Sequence, residues 1–460
     1  MTEEVRAVGH AEVSVDDPPI ERVSANDLMQ LAVEAGSVPM QVGAVLVLEG
    51  DLDLATVRAE LAHRIEGIPR LRQRLHRGAP GSGRPVWVDD ATFDLVEHVQ
   101  GRPCPAPGDE SALLAGASDL LGRPLPGDRP LWSATLVAGV AGGRSALVIV
   151  FHHVLADGIG RLAALGALVD GAPPAVGYGF PRPVPTWGHL AVDAQRRRLA
   201  GVRRWRAWLA GVRAALAELA PGRQARAPRS SLNRPTGRRR RSQVVRADLQ
   251  GVRSVAHAHG ATVNDVVLAA VTGALGGVLH ELGEEVDRLV VSIPISGRAA
   301  ATSDELGNQV GVLPVELPTG GRFDERLEAV AAVTRARKDH PGRGSSTALV
   351  DPLFRALGRL GLMRGFLDHQ HLINTLVTNL RGPTEDLWFV GRRISDLLPL
   401  SIVTGNVTVA FAVLSYSGTL DVVVDADAEA WSDLDRLVAR LDEQLQAAVA
   451  GTLPATRQLP

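Results

Sequence analysis

The sequence contains a single cysteine, Cys104, among 460 residues. One thiol cannot form an internal disulfide, and it cannot supply the cysteine cluster that structural zinc or iron–sulfur sites need. We therefore expect a chain that folds without disulfides and without a metal held by a cysteine cluster. The cytoplasm is the simplest location for such a protein.

Net charge, long apolar runs and two well-known enzyme motifs are also scarce. The formal net charge is −2, so no overall field favours nucleic acid as a partner. Residues 1–7 lack the basic-then-apolar order of a signal peptide, and we expect that no apolar stretch approaches the ~18–20 residues that span a membrane. Neither the G-x-S-x-G elbow of serine hydrolases nor a P-loop occurs.

Apolar residues are plentiful enough for two cores. They make up 45% of the sequence, and a chain of this length usually exceeds one core. We predict a mixed α/β fold with an N-terminal domain over 1–170, an Arg- and Pro-rich helical linker over 171–242 and a C-terminal domain over 243–460. Three local predictions are a short strand over 93–96, a basic loop over 220–242 and an amphipathic helix over 352–367 that faces either a lipid surface or the core.

The most informative stretch is an apolar run, 146–151, that ends in His152 and His153. The run is typical of a strand buried on both faces, and Asp157 and Gly158 follow four and five positions after the second histidine. Adjacent strand residues point to opposite faces, so one histidine is expected inside and the other in a cleft, where it can act as a general base. Two satisfied core histidines, and a helix N-cap for Asp157, are the alternatives.

The two histidines belong to one of several short motifs along the chain that together resemble a known family. The stretch 152–158 matches the HHxxxDG motif of acyl-CoA-dependent acyltransferases and peptide-synthetase condensation domains. From about residue 22 to 450 the chain resembles the bacterial wax ester synthase/diacylglycerol acyltransferase family. The motifs that carry this resemblance are at 24–27, Pro130-Leu131-Trp132, 152–158, Asn264-Asp265, 293–298, 307–309 and 378–383.

The resemblance implies two chloramphenicol-acetyltransferase-like domains with a substrate tunnel at their interface. Acyl-CoA would be the donor, a fatty alcohol or diacylglycerol the acceptor, and no cofactor would be needed. His153 would take the proton of the acceptor hydroxyl, while His152 packs beneath the loop. Asp157 would pair with Arg298 and lock the loop that continues into Gly158.

Other residues have both functional and ordinary interpretations. Asn264, Thr378 and Asn379 are candidates for stabilising the oxyanion or binding the acceptor, although Asp265 also fits a capping box with Thr262. Pro130, Leu131 and Trp132 are candidates for the tunnel wall and fit packing better than chemistry.

The arginines Arg234, Arg238 and Arg239 lie in a basic run that continues to residue 241. They are candidates for binding CoA phosphates, and a solvated surface or contact with anionic lipid would also explain them. If these arginines bind anionic lipid, the protein would contact a membrane or a lipid inclusion at its surface. A condensation-like acyltransferase acting on a carrier-protein or specialised substrate, and a non-catalytic lipid-surface scaffold, are the alternative functions.

Overall fold

The computed structural model describes residues 20–24, 27–28, 30–31, 34, 39–155, 158–173, 179–203, 226–296, 310–339 and 360–452. Within them the chain forms two six-stranded sheets and one three-stranded sheet, with helices packed against both large sheets. The mixed α/β class predicted from the sequence is confirmed.

The strands of the described residues, in chain order, are β1 (Glu21–Arg22), β2 (Gln41–Glu49), β3 (Gln73–His76), β4 (Val86–Asp89), β5 (Val99–Pro103), β6 (Trp132–Val140), β7 (Arg144–His152), β8 (Arg240–Asp248), β9 (Arg288–Ser296), β10 (Val310–Pro318), β11 (Thr375–Arg381), β12 (Trp388–Phe389), β13 (Arg392–Leu400), β14 (Val409–Tyr416) and β15 (Thr419–Asp427). The helices are α1 (Leu54–Arg64), α2 (Leu95–His98), α3 (Glu110–Leu121), α4 (Gly158–Leu168), α5 (Trp187–Arg203), α6 (Leu249–Ala258), α7 (Val263–Glu281), α8 (Phe323–Asp339), α9 (Met363–Asp368) and α10 (Leu434–Thr452). Two short 3-10 turns, Ile65–Gly67 and Pro69–Arg72, follow α1.

The first large sheet has the histidine strand near its centre. Its order is β12–β13–β2–β7–β6–β5, and neighbouring strands are antiparallel except for β5 and β6. Leu147, Ile149 and Phe151 of β7 belong to a core cluster with α1 and α4, whereas Val148 and Val150 belong to a cluster with α3. The strand is thus buried on both faces, as its unbroken apolar run predicts.

The second large sheet has the order β10–β9–β11–β14–β15–β8. Strand β11 runs parallel to both of its neighbours, and the remaining pairs are antiparallel. Its core cluster combines these strands with α6, α7, α8 and α10. Ala412 of β14 and Val423 of β15 also join the cluster beneath α3, so apolar contacts connect the two sheets.

Helix α7 corrects one expectation from the sequence. It is long and apolar enough to cross a membrane by length and composition, so the expectation that no stretch reached this length is wrong. However, 67% of its 18-residue apolar window is buried inside the protein. A helix that is hydrophobic all round is typical of the centre of a large core, which is where α7 lies.

The two sheets do not divide the chain at a single point. Strands β12 and β13 come from the C-terminal region, yet β13 pairs with β2 and completes the first sheet. Part of the C-terminal stretch therefore crosses to the N-terminal sheet and returns as β14 in the second. This crossing brings the end of β11 and the start of β12 close to the elements around the histidines.

Of the three local predictions, those over 93–96 and 220–242 differ from the structure, and those over 220–242 and 352–367 lie partly outside the described residues. The stretch predicted as a strand over 93–96 overlaps helix α2, because the Asp94 carboxylate accepts a hydrogen bond from the Val96 N–H and caps its first turn. The predicted basic loop over 220–242 ends earlier than expected, since β8 begins at Arg240 and pairs with β15. Of the helix predicted over 352–367, residues 352–359 lie outside the described part.

Candidate active site

The two histidines lie where β7 ends between its two neighbours. The backbone N–H of His152 donates to the Leu131 carbonyl at 2.9 Å, and that of His153 donates to the Met40 carbonyl at 2.8 Å. Leu131 directly precedes β6 and Met40 directly precedes β2. The backbone at the strand end is therefore fixed from both sides, which limits how far either imidazole can move.

His152 is the buried member of the pair, with 2% of its surface exposed. Its Nδ1 accepts a hydrogen bond from the Val154 N–H at 3.0 Å, which places the proton of the neutral ring on Nε2. That Nε2 lies 2.9 Å from a carboxylate oxygen of Glu34. The ring N–H does not point along this line, so the contact is a close electrostatic one rather than a well-aligned hydrogen bond.

Glu34 was missed in the sequence. Burial raises the pKa of this carboxyl, but the contact with His152 and the backbone at Met40 together hold the pKa below its ordinary value. Glu34 is therefore ionised at neutral pH and gives His152 a charged partner. It belongs to no motif, and nothing in its spacing from the histidines indicates the contact.

His153 is half-buried, in contrast to its neighbour. The structure thus has the arrangement expected from strand geometry, with one histidine inside and one accessible. Gly158 begins α4. Asp157 and Arg298 lie outside the described residues, so their ion pair stays a prediction.

Asn264 and Asn379 come together across the second domain. Asn264 lies in the first turn of α7, and the side-chain amide of Asn379 on β11 donates to its Oδ1 at 3.3 Å. Thr378 points to the other face of the strand, where its hydroxyl donates to the Phe411 carbonyl at 3.3 Å. Of the three polar candidates, two share one position and Thr378 does not.

Asp265, the neighbour of Asn264, has a structural role. It forms a reciprocal capping box with Thr262 at the start of α7, as the alternative interpretation predicted. Its second oxygen accepts a hydrogen bond from the Thr334 hydroxyl on α8 at 2.7 Å. These bonds fix the beginning of α7 and with it the position of Asn264.

Trp132 packs in the core at the start of β6, the strand that pairs with the histidine strand β7. Its ring is 2% exposed, stacks on His98 at 4.8 Å between centroids, and donates from Nε1 to the Leu71 carbonyl at 2.7 Å. Burial lowers the pKa of His98, which keeps that ring neutral. Pro130 and Leu131 are also buried, so the three residues fit the packing interpretation.

The basic run divides into two groups. Arg234, Arg238 and Arg239 are exposed, as a site for phosphates requires. The side chain of Arg240 is 6% exposed and pairs with Asp427 at 2.7 Å, while Arg241 pairs with Asp435 at 3.1 Å. The last two arginines therefore hold β8 in place rather than extending the exposed group.

An apolar cavity of about 310 Å³ lies beside α4, the helix that follows the histidines. It extends from α4 to the end of β11 and reaches β2 and β13. Its lining residues are Leu46, Leu162, Leu165, Gly166, Val169, Arg381, Gly382, Pro383, Leu387 and Leu397. The leucines of α4 follow the HHxxxDG motif directly in the chain, whereas the residues from β2, β11 and β13 that complete the cavity are distant from it in the sequence.

Comparison with known proteins agrees with the motifs. The family description "Wax ester synthase/diacylglycerol acyltransferase catalytic domain" matches residues 23–267, and "WS/DGAT C-terminal domain" matches residues 306–448. Two curated relatives, from Mycobacterium bovis and Mycobacterium tuberculosis, carry the name diacylglycerol O-acyltransferase. Each is 31% identical to this chain over 435 residues, which span 90% of this chain and 92% of the relative.

Solved structures share the fold. The wax ester synthase/diacylglycerol acyltransferase from Marinobacter aquaeolei VT8 matches with a TM-score of 0.69 and 22% identity, over 94% of this chain and 99% of that one. The first condensation domain of the CDA synthetase matches with a TM-score of 0.62 and 21% identity, over 97% and 99%. These likenesses confirm the predicted two-domain fold. On the family matches and the curated relatives, the chain belongs to the wax ester synthase/diacylglycerol acyltransferase family of acyltransferases.

Proposed function

We propose that the protein transfers a fatty acyl group from acyl-CoA to the hydroxyl of a diacylglycerol or a long-chain alcohol. The observation that carries this proposal is the contrast at the end of β7. His153 is half-buried and next to a loop, whereas His152 is buried and engaged by Val154 and Glu34. Only one of the two imidazoles is therefore placed to exchange a proton with a substrate.

In the proposed mechanism His153 acts as a general base. It takes the proton from the acceptor hydroxyl as the oxygen attacks the thioester carbonyl, which gives a tetrahedral oxyanion. The carbon–sulfur bond then breaks, and the imidazolium returns the proton to the departing CoA thiolate. The products are an ester and free CoA. Because both substrates bind together, proximity supplies much of the rate and no acyl-enzyme is required.

The amide pair of Asn264 and Asn379 is the proposed source of donors for the oxyanion. Side-chain amides are effective in this role when their position is fixed before the reaction. Asn264 meets this condition because the capping box of Asp265 holds the first turn of α7. Thr378 is excluded from the proposal because its hydroxyl is bonded to a strand carbonyl on the other face.

Acyl-CoA enters this scheme as a substrate, and proton transfer by imidazole needs no metal or prosthetic group. We propose that Arg234, Arg238 and Arg239 bind its phosphates, since all three are exposed and guanidinium groups form forked contacts with phosphate oxygens. The Michaelis constant for acyl-CoA should then rise with salt and rise further in the Arg239→Ala variant, with kcat little changed.

We also propose a cytoplasmic protein that contacts a membrane or lipid inclusion from outside. Leu199 on α5 and Leu360 and Leu362 before α9 are more than half exposed, and arginines lie close to them in the chain. Exposed leucines next to cationic groups are typical of a surface that binds anionic lipid. Flotation with vesicles containing phosphatidylglycerol should recover the protein, and replacing both Leu360 and Leu362 with serine should reduce that recovery.

The test of the proposed reaction is release of free thiol from acyl-CoA, with the ester product identified by mass spectrometry. Fatty alcohols and diacylglycerol are supplied separately as acceptors. His153→Ala should reduce ester formation by about 10²–10⁴-fold. The matched control is His257→Ala, an exposed histidine on α6 that should leave turnover unchanged. A folded His153→Ala protein with wild-type turnover would overturn the mechanism.

A second pair of variants tests the amide site. Asn379→Ala should lower kcat by about 10²-fold, the loss expected for one oxyanion donor. Thr378→Val removes a hydroxyl from the adjacent position on the same strand and should cost less than about threefold, because that hydroxyl points away. Equal losses in the two variants would contradict the assignment of Asn379.

A further inference from the structure

The apolar cavity beside α4 is too large to be a packing defect. Protein interiors are close-packed, and voids larger than a water molecule are few. At about 310 Å³ this cavity has a volume on the order of ten water molecules, and it reaches the lower end of the ~300–1,000 Å³ range typical of ligand pockets. Nearly all of its lining side chains are leucine, valine or proline.

The cavity is lined by elements that adjoin both parts of the candidate active site in the chain. Helix α4 begins directly after the histidine loop, and its lining residues Leu162 to Gly166 lie roughly 6–12 Å along the helix from Gly158 at 1.5 Å per residue. On the other side, Arg381 and Gly382 follow Asn379 by two and three residues at the end of β11. A linear molecule in the cavity would therefore lie alongside the helix that leads away from His153.

Polarity changes from the interior of the cavity to its rim. Leu46 and Leu397, on the paired strands β2 and β13, are buried and form the inner wall. Gly166 and Arg381 are exposed and lie at the rim. An apolar interior that opens beside one guanidinium suits a hydrocarbon chain with a polar group at its outer end.

Two glycines line the cavity for different reasons. A Cβ on Gly382 would overlap the Ser415 carbonyl oxygen, so glycine is required where β11 passes β14. Gly166 has no such constraint, because a Cβ built there meets no heavy atom within 4 Å. Glycine weakens a helix interior, so its presence in α4 calls for another explanation. The absent side chain leaves open space at the rim of the cavity.

We propose that this cavity binds the aliphatic chain of a substrate and that Gly166 sets the longest chain that fits. This inference rests on the proposed acyl transfer, and it assigns the chain-length preference to one position. The chain belongs either to acyl-CoA or to the acceptor alcohol. Both present the same polymethylene surface, so the experiment must vary the two separately.

The main variant is Gly166→Leu, and the matched control is Gly188→Leu. Gly188 is also a helical glycine whose Cβ would have space, but it lies on α5 and does not line the cavity. Initial rates are measured with acyl-CoAs of six to eighteen carbons at one alcohol, and with alcohols of the same lengths at one acyl-CoA. A leucine side chain displaces about three methylenes, and each buried methylene contributes about fourfold to binding, so kcat/KM for long relative to short chains should fall roughly 50-fold.

The fall should occur in one of the two series, which identifies the substrate whose chain occupies the cavity. Leu162→Ala enlarges the cavity and should shift the preference in the same series towards longer chains. Length profiles that match wild type in both series, or a uniform loss at all lengths in folded Gly166→Leu protein, would overturn the proposal.

A binding measurement separates failure of this proposal from failure of the proposed reaction. Wild-type protein that releases no thiol with any substrate pair would refute the reaction. In that case cis-parinaric acid, a fluorescent fatty acid, is titrated into wild type and Gly166→Leu. Binding that weakens at least tenfold in Gly166→Leu but not in Gly188→Leu supports the cavity assignment. Equal binding in all three proteins refutes it.

Discussion

The histidine site (Glu34, His152 and His153) and a charged region between the sheets both contain buried carboxyl groups, but the pKa values of these groups are shifted in opposite directions. Glu34 has an imidazole as its partner, and its pKa lies below the ordinary value. In the charged region, burial raises the pKa of Asp421 and of Asp425 to about 7. The balance between burial and charged neighbours therefore decides whether a carboxyl in this protein carries charge at neutral pH.

The charged region, which we call the arginine seam, is built around Arg246 on β8. Its guanidinium contacts Glu110 at the start of α3, Asp396 on β13 at 3.1 Å and Asp421 on β15 at 3.3 Å. Burial alone would lower the pKa of Arg246, but these three carboxylates raise it above its ordinary value. One cation thus joins elements of the first sheet to two strands of the second.

Asp425 lies on the same strand as Asp421 and has weaker partners. It accepts hydrogen bonds from the Ser242 hydroxyl and, at 2.7 Å, from the Ser401 N–H. These neutral donors do not offset complete burial, so the pKa stays raised. The histidine site thus holds a fixed carboxylate charge beside His152, whereas the seam joins the two sheets.

The largest expected effect comes from removing the cation of the seam. Arg246→Met keeps much of the aliphatic volume but leaves three carboxylates facing one another. We expect a loss of about 2–3 kcal/mol in the free energy of unfolding, at the low end for a buried ion pair because the arginine side chain is 34% exposed. Urea denaturation at pH 7.5 measures it.

Arg288→Met is the matched control for this variant. Arg288 also pairs with a strand carboxylate, that of Glu316 at 2.6 Å, but its side chain is 68% exposed. An exposed pair contributes at most about 1 kcal/mol. If both variants lost the same free energy of unfolding, the contacts of Arg246 would stabilise the protein no more than an exposed ion pair does.

The next effect is a dependence of stability on pH. Because the folded-state pKa of Asp425 is about 7 and the ordinary value is 3.8, the folded chain binds more protons than the unfolded chain between these values. The stabilisation is complete below the ordinary pKa and is lost as pH rises through the folded one. The free energy of unfolding should fall by on the order of 1–3 kcal/mol between pH 5 and pH 8.

Asp425→Asn should reduce this slope, measured as urea midpoints across the pH range, and Asp421, whose pKa burial also raises to about 7, should account for the remainder. Asp435→Asn serves as the control, because the hydrogen bond from Gln243 lowers the pKa of that exposed carboxyl and it does not titrate in this window. An unchanged slope in Asp425→Asn would assign the dependence to other groups.

Features of the fold and the site that depend on neighbouring residues in the chain could be predicted from the sequence. The end of β7 was predictable because an apolar run, two histidines and a helix start are local, and the capping box of Asp265 lies within four residues. The bounds of helix α3 are also marked locally, since the Asp109 carboxylate caps its start and Gly122 follows its end. These features depend on neighbours in the chain.

The missed features depend on contacts between distant residues. Glu34 reaches His152 from a stretch with no motif, and Arg246 meets carboxylates from three separate elements. The crossing of β13 into the first sheet is also invisible to local periodicity. Because side-chain partners are set by this topology, the sequence could identify the histidines but could not identify what holds them.

The smallest expected effect tests the other side of the comparison, the charge of Glu34. We expect this carboxylate to position His152, whose Nδ1 already accepts a hydrogen bond from the Val154 N–H. Glu34→Gln keeps the size of the side chain and removes the charge, so the ring of His152 loses its ionic partner. We expect kcat to fall about tenfold, or roughly 1.4 kcal/mol of barrier, with the Michaelis constant for acyl-CoA within about twofold of wild type.

A positioning role differs from a purely structural one in two measurements. Glu34→Asp restores the charge and should recover part of the lost kcat, whereas a volume effect would make this shorter side chain worse than glutamine.

The lowered pKa of Glu34 also means that its stabilising contribution is present at neutral pH and is lost as pH falls through the folded-state pKa, opposite to the dependence at Asp425. Glu60→Gln is the control. It makes the same substitution on α1, where Glu60 pairs with Arg64 away from the histidine site, and it should leave kcat unchanged. A Glu34→Gln enzyme with wild-type kcat would reduce the histidine site to His153 alone and remove the functional half of the contrast with the seam.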